Sequence, residues 1–370
     1  MPERWRLPLL YALIALLIAW AGQTYVIWSA YDGSVSGLFF IGSDRAGNHT
    51  PPPGDAWVHQ KTAGYDGQYY RLVARDPLLR ATPHEQFDAP RLRWRRILVP
   101  ALAWTAALGD AERVDDTYRW AVLLLFAAGL AVSCRLVVEM GFHVAWGLVF
   151  VLLPANLISL ERMTVDGALA TIVVVFAYGA VRKRPDLCYL AMTVAPLARE
   201  TGFALAAGWI LWAALRRRWP RVGAAVFAVL PSLAWTGYVS GHAEGSGISF
   251  LSAVPLSWAP WRLIDLRMTP AGLLDHLALI GAFWAFYLAV RVMLDAERSP
   301  IHWAIGVFAL GCSLLAYPAI WSEAYAFGRI LSPLLLLLVV ARPTQWALAP
   351  IALMLPRVAA QLGTYLISPN

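Results

Sequence analysis

The first candidate for chemistry in this sequence is Asp66, within the stretch GYDGQYYRLVARDP at residues 64–77. If a helix begins there, its dipole favours the ionised carboxylate, which could then serve as a general base or as an anchor for a substrate. An aspartate in that place is more commonly a helix cap. The surrounding glycines and aromatic residues favour function, because together they can shape a site the size of a sugar. We therefore predict a catalytic role for Asp66. Its predicted substrate-binding neighbours are Tyr65, Gln68, Tyr69 and Arg71.

The same stretch has a helical pattern. It places Tyr69, Leu72 and Val73 on one face and Gln68, Arg71 and Arg75 on another. This separation is typical of a helix that lies on a membrane surface.

An excess of arginine follows Asp66, with few acids to balance it. The arginines are Arg71, Arg75, Arg80, Arg91, Arg93, Arg95 and Arg96, and the acids among them are Asp76, Glu85 and Asp88. They either form a solvated or headgroup-facing surface, or include one or two guanidiniums that bind a lipid phosphate. We include Arg96 among the predicted substrate-binding residues.

Three further clusters of charge lie within or beside apolar blocks, where ionisable groups are costly and usually paired or functional. They are Glu161, Arg162 and Asp166; then Arg199 and Glu200; then Glu323 and Arg329. Each could be a structural ion pair. Their predicted position at one membrane face, together with Asp66, indicates a common polar cavity.

Arg199 has a specific prediction within that cavity. Adjacent helical residues point about 100° apart, so we expect Arg199 to pair with a group other than Glu200. A donor phosphate is the predicted partner. By contrast, Asp115 and Asp116 lie in a short acidic turn and are predicted to be solvated.

Metal and nucleotide chemistry find no support in the sequence. The three cysteines have no metal-ligand spacing, the histidines form no HExxH arrangement, and GxSxG and Walker motifs are missing. We predict no metal and no other cofactor, although a divalent metal is possible without a clear motif.

The elements that must position these residues are membrane helices. Hydrophobic residues make up 59% of the 370 residues and charged residues 14%, against about 25% charged in soluble domains. The apolar residues form blocks close to the roughly 20 residues that a bilayer requires. We predict an all-α, polytopic transmembrane bundle of about 10–11 membrane segments, some short or broken, as a single domain over residues 1–370.

Basic residues predict the orientation of these segments. The net charge of +7 is concentrated at block ends, which indicates membrane topology rather than nucleic-acid binding. The first helix is predicted to be retained, with a cytoplasmic N-terminus, so residues 30–95 form an outer loop that carries amphipathic juxtamembrane helices. Residues 241–270 form a second outer loop. We expect this loop to be partly embedded in the membrane interface.

Two apolar blocks are unusual. Residues 187–215 lie between basic clusters that should both be cytoplasmic, so this block must turn back at PLARETG, residues 196–202. It is predicted to form two half-length helices around a polar turn. Residues 97–108 are too few to cross the membrane and predict a partial or re-entrant segment.

In combination, these features resemble the GT-C superfamily of membrane glycosyltransferases. More narrowly, residues 64–77 followed by RLRWRRILVPALAW at 91–104 resemble the first loop of uncharacterised bacterial members, and ERMTVDGALA at 161–170 and LARETG at 197–202 extend the similarity. The resemblance implies a polyprenyl-phosphate-linked sugar donor, an active site at the outer face of a bacterial inner membrane, and Asp66 as base or acceptor anchor. It also implies that Arg199 or Arg329 holds the donor phosphate.

The chain departs from the superfamily at its acid. Many relatives have an Asp-Glu or Asp-x-Asp pair where this sequence has a single Asp66, so the resemblance leaves metal dependence and the identity of the base open. Membrane lipids and an unspecified acceptor are the other expected partners, and nucleic acid is not. A lipid or solute transporter, suggested by the broken block, and a non-catalytic assembly partner are the alternative functions.

Overall fold

The computed structural model describes residues 3–44, 56–82, 86–244, 251–265, 268–296 and 298–367. The helices of this part are α1 (Arg6–Ala30), α2 (Asp66–Arg75), α3 (Pro90–Arg95), α4 (Leu98–Ala106), α5 (Val114–Glu139), α6 (Pro154–Arg162), α7 (Asp166–Val181), α8 (Pro185–Ala198), α9 (Phe203–Leu215), α10 (Trp219–His242), α11 (Ala259–Ile264), α12 (Pro270–Met293), α13 (Pro300–Ser313), α14 (Pro318–Trp321), α15 (Ala324–Ala341) and α16 (Gln345–Ile367).

Six of these helices, α1, α5, α10, α12, α15 and α16, are long and apolar enough to cross a membrane. The short helix Val144–Phe150 and α6 make a seventh candidate, bent by 57° at the break before Pro154. Shorter apolar helices cover Asp166–Val181, Glu200–Leu215 and Pro300–Ser313. The prediction of an all-α polytopic membrane protein is confirmed.

The position of a helix in the bundle follows from its sequence. The run LSPLLLLLVV in α15 is apolar around the whole circumference and is buried at the centre of the bundle, as expected for such a helix. In α1, Leu17, Ile18 and Trp28 are exposed on the outside of the bundle. In a membrane these side chains face lipid.

The predicted break in residues 187–215 is confirmed. α8 has 14 residues and α9 has 13, so each is about 20 Å long, shorter than the bilayer core of about 30 Å. Pro185 at the start of α8 and Arg216 just after α9 line the same cavity. The two helices therefore form a hairpin whose tip, Arg199–Gly202, lies at the opposite end of the bundle.

α4 is as short as its sequence predicts. Its nine residues reach only about 14 Å. The helix packs against α2 and α5 and does not cross the bundle.

α2 begins at Asp66 as predicted, but the prediction of a helix lying on a membrane surface is wrong. Every residue from Gly67 to Ala74 is buried. The helix packs against α4 and α5. It can be buried there because the charge of Arg71 is neutralised inside the protein. Arg71 Nε and Nη2 donate to the Asp115 carboxylate at 2.8–2.9 Å.

That contact also corrects the prediction for Asp115. This residue lies in the first turn of α5 and is only 8% exposed, so it is not solvated. The sequence could not reveal the pair because its two members lie 44 residues apart.

The predicted second loop, residues 241–270, is shorter in the structure, because α10 extends to His242 and α12 begins at Pro270. Between them, the described residues 243–244, 251–265 and 268–269 contain no long helix. Instead, α11 has six residues and packs inward. Trp258 stacks on Trp321 with ring centroids 3.7 Å apart, and Arg262, fully buried, donates to the Trp321 carbonyl at 2.9 Å. The segment therefore covers the end of α13 and the short helix α14. Residues 245–250 and 266–267 lie outside the described residues.

Candidate functional site

Eight charged residues form a continuous chain of ion pairs at the end of the bundle that carries the α8–α9 tip. In order of contact they are Asp88, Arg93, Asp66, Arg329, Asp166, Arg199, Glu200 and Arg96. Acid and base alternate along the chain, so its formal charges cancel. Five separate parts of the sequence contribute members.

Asp66 is the third member of this chain and lies in its first arm, which runs from Asp88 to Arg329. Its Oδ1 lies 2.9 Å from Arg93 Nη2 and its Oδ2 lies 2.5 Å from Arg329 Nη1. The same Arg329 nitrogen is 3.5 Å from Asp166 Oδ2. Asp66 is thus held between two guanidiniums that come from different helices.

The second arm begins with Asp166, which pairs with Arg199. Arg199 Nε lies 3.8 Å from Glu200 Oε1, whereas Arg96 binds both Glu200 oxygens at 2.6 and 2.8 Å. As expected, Arg199 therefore has a partner other than the adjacent Glu200. That partner within the protein is Asp166.

A cavity of about 350 Å³ lies against this chain. Its charged lining residues are Asp66, Asp88, Arg93, Arg96, Arg199, Glu200 and Arg329. Its apolar lining residues include Leu92, Leu315, Ile320, Ala326 and Ile330. The volume is within the usual range for small-molecule pockets. The lining of the cavity therefore combines charged and apolar side chains.

Two glycines of the GYDG sequence fix the position of Asp66. Gly64 has φ of +79°, a conformation that glycine adopts without strain. A Cβ on Gly67 would lie 2.1 Å from the Arg162 carbonyl oxygen, so only glycine permits this approach between α2 and the end of α6. The start of α2 is thereby held against the charged chain.

Asp66 does not act as the helix cap. The capping position belongs to Tyr65, whose side chain makes no capping hydrogen bond. The Asp66 carboxylate is directed to the arginines instead. Burial would raise the pKa of Asp66, but Arg329 and then Arg93 together hold the pKa of this carboxyl well below its usual range. The free site therefore contains an ionised Asp66.

Tyr65 and Tyr70 support the two arms. The Tyr65 ring lies 4.9 Å from the Arg329 guanidinium carbon, and burial raises the pKa of its phenol well above the ordinary value. The Tyr70 hydroxyl accepts a hydrogen bond from Arg96 Nη1 at 2.8 Å. Both tyrosines thus orient arginines of the site.

Three of the other predicted neighbours lie outside the cavity lining. Gln68 accepts from the Gly42 backbone N–H and donates to the Ala63 carbonyl, which closes the loop before α2. Tyr69 stacks on Phe87 in a buried cluster and lies 4.7 Å beneath the Arg93 guanidinium. Arg71 binds Asp115.

The predicted clusters do not all meet in this cavity. Arg162 pairs with Glu161 at 3.0 Å and stacks 3.5 Å over the Phe40 ring. Neither Arg162 nor Glu161 is among the residues that line the cavity. Glu323 lies 3.7 Å from Arg357, which also pairs with Asp275. Of the residues predicted from sequence, the structure brings six into the chain: Asp66, Arg96, Asp166, Arg199, Glu200 and Arg329.

Asp88 and Arg93 were missed by sequence reasoning. Arg93 belongs to a run of arginines that resembles a solvated surface, and Asp88 is a single acid before it. Their bidentate contact, at 2.6 and 2.9 Å, spans five residues. The one local signal for this pair in the sequence is that Asp88 precedes Trp94, an apolar residue flanked by arginines. Glu85, the neighbouring acid, lies outside the described residues.

In the described part of the chain, no three His, Cys, Asp or Glu side chains are grouped as metal ligands would be. No family model, curated protein or solved structure matches this chain. The function therefore has to be argued from the site itself.

Proposed function

We propose that this protein is a membrane glycosyltransferase. It transfers a sugar from a polyprenyl-phosphate donor to an acceptor hydroxyl, with Asp66 as the general base, at the outer face of a bacterial inner membrane. The observation that carries the proposal is the placement of one carboxylate between guanidiniums in a sugar-sized cavity that is also lined by apolar side chains.

The guanidiniums supply phosphate recognition. Each guanidinium has five N–H donors, and the ion pairs of the chain use only some of them. Arg199 Nε and Arg329 Nε have no hydrogen-bond acceptor among the described residues. Both arginines line the cavity, so a phosphodiester can bind them while the carboxylates keep part of their contacts. The apolar lining residues suit the first isoprene units of the donor.

The reaction is a displacement at the anomeric carbon. The acceptor oxygen forms a bond to that carbon, its proton passes to Asp66, and the bond to the lipid phosphate breaks with its electron pair on the phosphate. The leaving phosphate gains a second negative charge in this step. Fixed guanidiniums stabilise that charge as it develops.

Donor binding also adjusts the base. The two arginines that hold the pKa of Asp66 low make it a weak base in the empty site. A phosphate that shares Arg329 weakens its hold on Asp66, so the pKa of Asp66 rises from its lowered value. A general base works best with a pKa near the working pH. The base thus strengthens only when the donor is present.

The basic clusters support the orientation. Lys183 and the arginines of 216–221 lie at the opposite end of the bundle from Asp66. Cytoplasmic loops carry an excess of Lys and Arg. This distribution of basic residues supports an outer position for the Asp66 cavity.

The test begins with mass spectrometry of lipids that co-purify with the protein, where we expect a polyprenyl phosphate or its glycoside. Sugar transfer from that donor is then assayed in proteoliposomes for wild type, Asp66→Asn and Asp88→Asn. We expect loss of transfer in the first variant only. An active Asp66→Asn protein excludes Asp66 as the base, and transport of a labelled substrate without a glycosidic product favours the transporter.

A further inference from the structure

The opposite end of the bundle contains a second cavity with a different charge pattern. Its volume is about 520 Å³. It is enclosed by the α7–α8, α9–α10 and α12–α13 turns. The basic residues that line it are Lys183, Arg216, Arg218, Arg221 and Arg298.

Among the described residues, no carboxylate lines this cavity and no ion pair joins any of its five cations to an acid. Nearby arginines outside it are paired: Arg182 with Glu139 at 2.7 Å, and Arg184 with Asp186 at 2.7 Å. The lack of acids is therefore specific to the cavity. Five like charges around one space repel one another unless an anion occupies it.

The aromatic lining holds the cations close together. Trp212 lies within 6 Å of three guanidiniums, those of Arg216, Arg218 and Arg221. Its buried indole Nε1 has no hydrogen-bond acceptor among the described residues. Arg216 also donates to the Arg298 carbonyl at 3.2 Å, which ties two of the turns together. The cations are thus arranged around the space by contacts within the protein.

We propose that this second cavity binds a phosphate-bearing anion, such as the headgroup of an anionic phospholipid or a free diphosphate. Guanidiniums bind phosphate oxygens in pairs, and basic pockets between membrane helices are suited to anionic headgroups. The site is separate from the proposed active site. α9 runs from one cavity to the other over 13 residues, about 20 Å.

The decisive comparison uses neighbouring residues. Arg218 lines the cavity and Arg217 does not. Arg218→Gln and Arg217→Gln each remove one positive charge from the same basic cluster, so they change the net charge and the topology signal equally. Affinity for phosphatidylglycerol and for cardiolipin is measured in phosphatidylcholine nanodiscs by native mass spectrometry. Thermal stabilisation by inorganic diphosphate is measured in detergent. We expect Arg218→Gln to weaken binding about fivefold or more and Arg217→Gln to leave it within about twofold.

Wild-type protein provides a measurement that needs no variant. Phenylglyoxal modification of arginine is mapped with and without each anion, and we expect protection of Arg218 and Arg221 but not of Arg217. Protection by lipid alone identifies a headgroup site, and protection by diphosphate as well identifies a soluble anion. Equal effects at Arg217 and Arg218, or no protection by either anion, would overturn the proposal.

Discussion

The two ends of this bundle differ in how their arginines are paired with acids. At the Asp66 end, four arginines alternate with four acids in one chain, and three of the arginines are buried. At the other end, five cations surround a larger cavity with no acid among the described residues that line it. The charge of a paired arginine is neutralised by the protein before a ligand arrives, whereas the charge of an unpaired arginine is neutralised only when an anion binds. The first arrangement suits catalysis, and the second suits binding.

The largest expected effect comes from removing the base at the paired end. Asp66→Asn keeps the shape of the side chain but cannot accept a proton, so we expect sugar transfer to fall about 10²–10⁴-fold. Asp88→Asn removes another partner of Arg93, at a more exposed position, and should reduce transfer less than tenfold. Initial rates at saturating donor measure both. Equal losses would mean that the acids only hold arginines in place.

Stability should also separate buried pairs from unpaired cations. Arg71→Gln removes the buried partner of Asp115 and leaves this carboxylate with the longer, 3.6 Å contact to Arg75, and we expect a loss of about 3 kcal/mol. Arg218→Gln removes one of five mutually repelling cations and should change stability by no more than about 0.5 kcal/mol. Thermal unfolding in detergent without added phosphate measures the difference. Similar losses in both variants would contradict the contrast between the two groups.

Donor affinity offers a finer test of the paired end. Arg199→Ala should weaken apparent donor affinity about tenfold or more, because a charge-assisted hydrogen bond contributes about 1.5–3 kcal/mol. Arg199→Lys should retain part of the activity. If donor affinity is unchanged and only the melting temperature falls, Arg199 is a structural partner of Asp166 and does not bind phosphate.

The pH profile gives the smallest but most specific effect. Since the pKa of Asp66 is lowered in the folded protein, kcat/KM should show no acid limb from this residue between about pH 5 and 8. Arg329→Gln removes the largest attraction on the Asp66 carboxylate, so the pKa of Asp66 rises. As the pH falls, this variant should therefore begin to lose activity at a higher pH than wild type does. The lowered pKa also contributes stability above the unfolded value near 3.9, and this is lost as pH falls through the folded pKa. An unchanged profile in Arg329→Gln would exclude this coupling.

Local patterns predicted the helices well, because apolar runs, prolines and basic flanks act within one segment. The α8–α9 hairpin and the start of α2 at Asp66 are examples. Partners distant in sequence could not be predicted in this way. The burial of α2 depends on Asp115, and the inclusion of Arg93 depends on Asp66, which only the folded bundle brings near.

The alternating chain also has a consequence for biogenesis. Asp66 precedes Arg93 by 27 residues and Asp166 precedes Arg199 by 33, so each pair can form well before Arg329 is synthesised. Arg329, which touches both Asp66 and Asp166, is synthesised roughly 130 residues after Arg199, some 6–26 s later at 5–20 residues per second. Until then, two acids in the nascent membrane domain lack one of their cations. We expect a chaperone or insertase to remain engaged through this interval, and the arrival of α15 to release it.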